Sequence, residues 1–114
     1  MRTSLFALTL LLAGTAQAQE VRTDRGTLRG ATAEGVASFK GIPYAAAPVG
    51  PLRWHAPMPV PGWTGTRDAA GYGNDCVQAR MPGDLANTTL PMSEDCLFLN
   101  VWTPRPRAGA KLAV

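Results

Sequence analysis

Two cysteines, one histidine and an adjacent pair of acids are the side chains in this sequence with the means to do chemistry. Cys76 and Cys96 stand well apart, His55 lies upstream of both, and Glu94-Asp95 directly precede the second cysteine in SEDCLFLNVWTP. A cysteine nucleophile would need a base beside it, and a metal centre would need more ligands than two thiolates and His55. His55 has neither an adjacent nucleophile nor a second ligand, and reads as a partly exposed neighbour of Trp54 rather than a general base. Glu94 and Asp95 point to opposite sides of an extended chain, which makes them a poor acid–base pair for one substrate. Their expected work is structural, accepting backbone donors or pairing with an arginine. The serines are Ser4, Ser38 and Ser93, and none lies in a G-x-S-x-G turn that would expose it as a nucleophile.

The compartment decides how the cysteines are read. Arg2 supplies a positive start, Leu5 to Ala13 an apolar run, and Ala16-Gln17-Ala18 a small-x-small cleavage site, so residues 1–18 read as a secretory signal peptide. The run is too short for a membrane span, which takes about 20 apolar residues. The mature chain, residues 19–114, is therefore expected in a periplasm or outside the cell, with no membrane attachment after cleavage. In that oxidising setting a Cys76–Cys96 disulfide is the expectation, over a metal site or a catalytic thiol. Closing the loop between them would be worth about 3 kcal/mol in the loop-entropy model.

Composition narrows the class. A chain that is 46% hydrophobic and 17% charged with a formal charge of +3 fits a globular protein and not a disordered one. Its nine arginines and two lysines are scattered singly, so there is no basic stripe for a nucleic acid backbone.

The elements that must position these residues begin as a small β-meander: Val21 to Thr23, Thr27 to Ala31 and Val36 to Lys40 are short strands, with Gly26 and Gly35 at turns that need positive φ. GIPYAAAPVGPLRWHAPMPVPGW follows, with six of the ten prolines between Pro43 and Pro61. Proline removes backbone donors and biases its predecessor toward extended geometry, so this stretch runs irregularly along something else. Tyr44, Trp54 and Trp63 are expected to fasten it to a core by packing, with an aromatic proline-binding groove as the alternative. A polar, glycine-rich loop closed by the two cysteines comes next; its Gly71-Tyr72-Gly73 lacks the strand and helix start of a phosphate loop and reads as a turn. Asn87-Thr88-Thr89 fits a glycosylation triplet and reads as surface loop. From Leu97 the alternation of Leu97, Leu99 and Val101 with Phe98, Asn100 and Trp102 predicts a strand buried largely on both faces, ended by Pro104.

FKGIPYAAAPVGPLRWHAPMPVPGWTGTRDAAGYGNDCVQ followed by SEDCLFLNVWTP resembles the N-terminal part of a type-B carboxylesterase, a branch of the α/β-hydrolases that includes para-nitrobenzyl esterases and cholinesterases. The likeness runs from about Val21 to Val114; EDCLFLNVWTP is its most specific element, and GIPYA and LRW precede it in order. The fold it implies is α/β: an incomplete α/β-hydrolase of short meander, irregular proline-rich segment, disulfide loop and core strands, the next of which would begin near Lys111. It implies that Cys76 and Cys96 pair to close a loop beside an active-site gorge. It also implies that Arg53 and Glu94 form a buried ion pair, loss of either member of which would cost about 3–5 kcal/mol.

The resemblance further implies a small-molecule carboxylic ester as substrate and no cofactor. Choline-binding members carry a tryptophan ten residues before the second cysteine, where this chain has Ala86, and no aromatic lies between Cys76 and Cys96. A cation–π seat for a quaternary ammonium is thus missing from the loop. The catalytic serine, histidine, acid and glycine-rich oxyanion segment of such an enzyme are not in this sequence, so the chain reads as a fragment that is inactive alone. The alternatives to a secreted serine esterase are a non-catalytic binding or adhesion-type member of the same fold, an inactive gene fragment, or a complete small disulfide-bonded β domain. The bacterial look of the leader disfavours the adhesion-type member, and open strand edges disfavour the complete small domain.

Overall fold

The computed structural model describes residues 17–79, 83, 89–104, 109 and 111–112. Its framework is one sheet of five strands: β1 (Gln17–Arg22), β2 (Thr27–Ala33), β3 (Val36–Pro43), β4 (Thr66–Asp68) and β5 (Phe98–Thr103). β1, β2 and β3 form the expected antiparallel meander, and β5 adds antiparallel to β3. β4 runs parallel to β2, beside Thr27 to Arg29, on the edge that β3 uses farther along. The strands are longer than periodicity alone indicates, because β1 and β2 pair along their whole shared length and β3 continues to Pro43 by pairing with β5.

Local sterics make both turns. Glu34 and Gly35 both take positive φ, +51° and +78°, between the paired Ala33 and Val36. That is the two-residue turn whose twist matches antiparallel strands. In the first turn the Thr23 hydroxyl accepts from the backbone N–H groups of Arg25 and Gly26 and donates to the Gly26 carbonyl. Glycine is needed at 26 because the Trp63 ring lies against it: a Cβ there would sit 2.5 Å from Trp63 Nε1.

The core lies on one face of the meander. Leu28, Ala37, Phe39 and Ala69 are buried together, with Val21, Ile42 and Trp63 packed against them. Ala69 ties the sheet to the loop after β4, since its N–H donates to the Arg29 carbonyl and its own carbonyl accepts from Lys40 N–H, both at 2.7 Å. Between Phe39 and Ile42 the β3–β5 register shifts at Gly41, whose N–H donates to Asn100 Oδ1 at 2.9 Å. Across the outer hairpin, Glu20 and Arg29 oppose each other in register and form an ion pair at 3.0 Å.

The proline-rich stretch is irregular as expected, with a single 3₁₀ turn at Gly50–Leu52. It folds back on itself through Ala46 N–H to the Met58 carbonyl, and Ala45 is buried. Its aromatics behave differently from one another. Trp63 does anchor the segment, donating from Nε1 to the Thr27 carbonyl at 3.0 Å. Trp54 and Tyr44 do not: they are 95% and 53% exposed. Trp54 leaves the 3₁₀ turn with φ +63° and lies over the Arg53 guanidinium, and Tyr44 is held by its backbone, N–H to the Leu97 carbonyl.

A second correction concerns β5. The alternation predicted there is present, but the strand is not buried on both faces: Leu99, Val101 and Trp102 are all exposed. β5 is the last strand on its side of the described sheet, paired only with β3, and no other described element covers it.

Among the described residues the structure is sheet-rich and holds no α-helix, so the helical part of an α/β fold is not within them. The leader expected from the sequence would fall on residues 1–16, outside the described ones, and on Gln17 and Ala18, which are the first residues of β1. Ala86 and Asn87-Thr88 of the glycosylation triplet also lie outside the described residues. Lys111 and Leu112, where a further strand is predicted to begin, carry no strand pairing, and 113–114 are not described.

Candidate functional site

The side chains singled out for chemistry meet at the neck of the 76–96 loop. Cys76 and Cys96 Sγ are bonded at 2.07 Å, with Cα atoms 5.1 Å apart, so neither thiol is free to act as nucleophile or metal ligand. Beside them Arg53 Nη2 lies 2.9 Å from Glu94 Oε1. The sequence is local at each half of this neck: a 3₁₀ turn with Pro51 delivers Arg53, and the residues before β5 deliver Glu94 and Cys96 in consecutive order.

The ion pair is not buried. The Arg53 and Glu94 side chains are 52% and 43% exposed, and they line an open cleft of about 490 Å³ with Trp54, Cys76, Val77 and Ser93. Solvent reaches both charges because no described element is layered over the cleft. At this exposure the pair is worth about 0–1 kcal/mol, well below the figure for a buried one. Asp95, the neighbouring acid, takes no part: its N–H donates to Ser93 Oγ and its carbonyl accepts from Asn74 Nδ2.

What sequence reading missed is a second closure of the same loop. Asp75 and Met92 form a parallel bridge, Asp75 N–H donates to the Pro91 carbonyl, and Ser93 N–H donates to the Asp75 carbonyl, both at 2.9 Å. Backbone hydrogen bonds thus close the loop a second time, from Asp75, one residue before the first cysteine, to Pro91 and Ser93, a few residues before the second. No residue-type signal marks these partners, because backbone pairing depends on chain path and not on side-chain identity.

Two of the remaining candidates fall elsewhere. His55 is exposed on the turn after Trp54, and among the described residues its backbone N–H is engaged, to the Leu52 carbonyl. Ser38 sits in β3, donating to the Ala31 carbonyl, and Ser93 accepts at the neck as above. Gly71 and Gly73 pack against Gly41 in a tight passage, and a Cβ at 73 would strike the Phe98 ring. Among the described residues no three His, Cys, Asp or Glu side chains gather as metal ligands. The neck can hold a loop in place and present a cleft, but the groups in it do not make a nucleophile–base pair.

A family model described as the carboxylesterase family matches residues 17–114. Phenmedipham hydrolase of Pseudarthrobacter oxydans is 44% identical over 93 residues, 78% of this chain and 19% of that protein. Para-nitrobenzyl esterase of Bacillus subtilis is 46% identical over 87 residues, 75% of this chain and 18% of that protein. Acetylcholinesterase of Gallus gallus is 43% identical over 100 residues, 75% of this chain and 13% of that protein. Among solved structures, a thermophilic PNB esterase superimposes with a TM-score of 0.67 at 43% identity, over 75% of this chain and 18% of that one. A carboxylesterase of Geobacillus stearothermophilus does so with a TM-score of 0.62 at 45% identity, over 75% and 16%. These neighbours are α/β-hydrolase carboxylesterases, and the described sheet is consistent with a part of that fold. The chain spans between 13% and 19% of the length of the curated relatives named here.

Proposed function

The chain belongs to the carboxylesterase family, and from that premise we propose that it is the N-terminal portion of an exported serine ester hydrolase acting on small-molecule carboxylic esters. The observation that carries this reading is the folding of EDCLFLNVWTP into a disulfide-locked neck that runs directly into β5, with Arg53 reaching Glu94 across the loop, in a chain superimposable on esterases. Residues 19–114 supply the meander, the proline-rich strap and the 76–96 loop. The serine, its histidine base, the orienting acid and the oxyanion donors come from polypeptide beyond Val114. There the serine attacks the ester carbonyl, backbone amides hold the developing oxyanion, and water releases the acid from the acyl-enzyme. The leader, residues 1–18, directs the protein to a periplasm or the outside.

Within that reading the 76–96 loop lies beside the entrance to the active site. It contains no aromatic residue, which argues for neutral esters and against quaternary-ammonium esters despite the likeness to acetylcholinesterase. The test is to read the frame past the codon for Val114, express the complete product and expose it to a serine-reactive fluorophosphonate. Labelling of a serine in a G-x-S-x-G turn is the expected result. A continued frame without that serine would replace the esterase by a binding protein of the same fold.

A further inference from the structure

Removing the leader after Ala18 makes Gln19 the first residue, and the structure says what surrounds it. Gln19 stands in β1 opposite Gly30, two residues from the Val21–Leu28 pair. Directly opposed residues of an antiparallel pair point to the same face, and Leu28 is in the core with Val21 packed against it, so Gln19 lies on the core face of the sheet. It is half-buried there. Gly30 offers no side chain to it, and the space above Gly30 is taken by the Phe39 ring, 2.7 Å from where a Cβ would be. The Gln19 amide makes no bond across the sheet among the described residues: Nε2 lies 3.4 Å from the carbonyl of Glu20, its own neighbour.

We propose that Gln19 of the exported chain is converted to an N-terminal pyroglutamate that ends β1. The step needs no co-reactant. The unprotonated α-amine attacks the side-chain carbonyl carbon Cδ, the tetrahedral adduct collapses with cleavage of the Cδ–Nε2 bond, and the proton lost by the amine leaves with Nε2 as ammonia. A new N–Cδ bond closes a five-membered lactam, with no change of oxidation state. Near neutral pH an α-amine is far less basic than a lysine, so a working fraction is unprotonated. The lactam is neutral and keeps one N–H for the strand. The pairs from Gln19↔Gly30 to Arg22↔Thr27 survive removal of Gln17 and Ala18, so the strand persists with a capped, uncharged start.

This inference rests on the leader reading made above, and the experiment separates the two. The full sequence with its own leader is expressed in a bacterium with a periplasm, the periplasmic fraction is taken, and the N-terminal peptide is identified by mass and by Edman sequencing. The expected result is a chain beginning at residue 19, blocked to Edman chemistry, lighter than the glutamine form by one ammonia, and unblocked by pyroglutamyl peptidase. A Gln19→Ala chain is expected to begin at the same position with a free amine. A free glutamine at 19, or a block that persists in Gln19→Ala, overturns the pyroglutamate while leaving the leader intact. A start at any other residue, or retention of Met1, overturns the leader cleavage and the inference with it.

Discussion

In the β1–β2–β3 meander Leu28, Ala37 and Phe39 are buried, whereas in β5, one strand away, Leu99 and Val101 are each 40% exposed. The meander is local: turns of a few residues bring its strands together, and its side chains cover one another. The β5 region is assembled from segments distant in sequence, held by the Cys76–Cys96 bond, the Asp75–Met92 bridge and an exposed ion pair, and its Leu99 and Val101 lack a facing layer. The contrast teaches that covalent and polar clasps can fix where a strand lies without burying it, and that burial needs a second surface.

The largest effect should come from testing the chain's independence. Gln19 to Val114 alone should aggregate or melt without a cooperative transition, because two large side chains, Leu28 and Phe39, carry most of the fully buried core among the described residues. A sharp two-state transition in calorimetry would break the comparison, making the β5 region as self-sufficient as the meander. Next in size, and measured like the variants below in the complete product, Phe39→Ala should cost about 3–5 kcal/mol and abolish amide-exchange protection in β2 and β3, with less effect at the neck. Uniform loss at both places would mean that the two regions are one cooperative unit.

The disulfide comes third. Cys76→Ser with Cys96→Ser should lower the neck's stability by about 2–4 kcal/mol and speed proteolysis within the loop, yet leave β2–β3 exchange unaltered. The amides of Asp75 and Ser93 should retain some protection through their hydrogen bonds to the Pro91 and Asp75 carbonyls; complete loss would show that the backbone closure depends on the disulfide. Arg53→Ala should cost no more than about 1 kcal/mol, a loss that shrinks with added salt. A salt-insensitive loss of several kcal/mol, seen as a shifted urea midpoint for neck opening, would place the pair in a buried setting after all. Trp54→Ala should be smallest, within about 0.5 kcal/mol by the same measurement, since its ring is solvated.

Much of the site could be read from residue types. Two cysteines after a sequence that reads as an export leader point to a disulfide, and EDCLFLNVWTP with LRW points to an Arg53–Glu94 pair through family likeness. Their exposure could not be read, because burial is a property of whatever lies opposite, and alternation in Leu97 to Trp102 reports only that two faces exist. Trp54 shows the same limit: a large ring amid prolines is usually packed, but here a positive-φ backbone after the 3₁₀ turn carries it into solvent.

The sequence by itself determined the two hairpin turns, the irregular proline-rich strap, the pairing of its only cysteines and the family, since these follow from backbone sterics, missing donors, the count of thiols and motif order within short windows. Tertiary structure alone decided that β4 lies parallel to β2, that Gly41 breaks the β3–β5 register against Asn100, that Asp75 and Met92 close the loop again, and that the ion pair stays wet. Those features join residues far apart along the chain through backbone groups that every residue carries alike, so only the path of the folded chain distinguishes one partner from another.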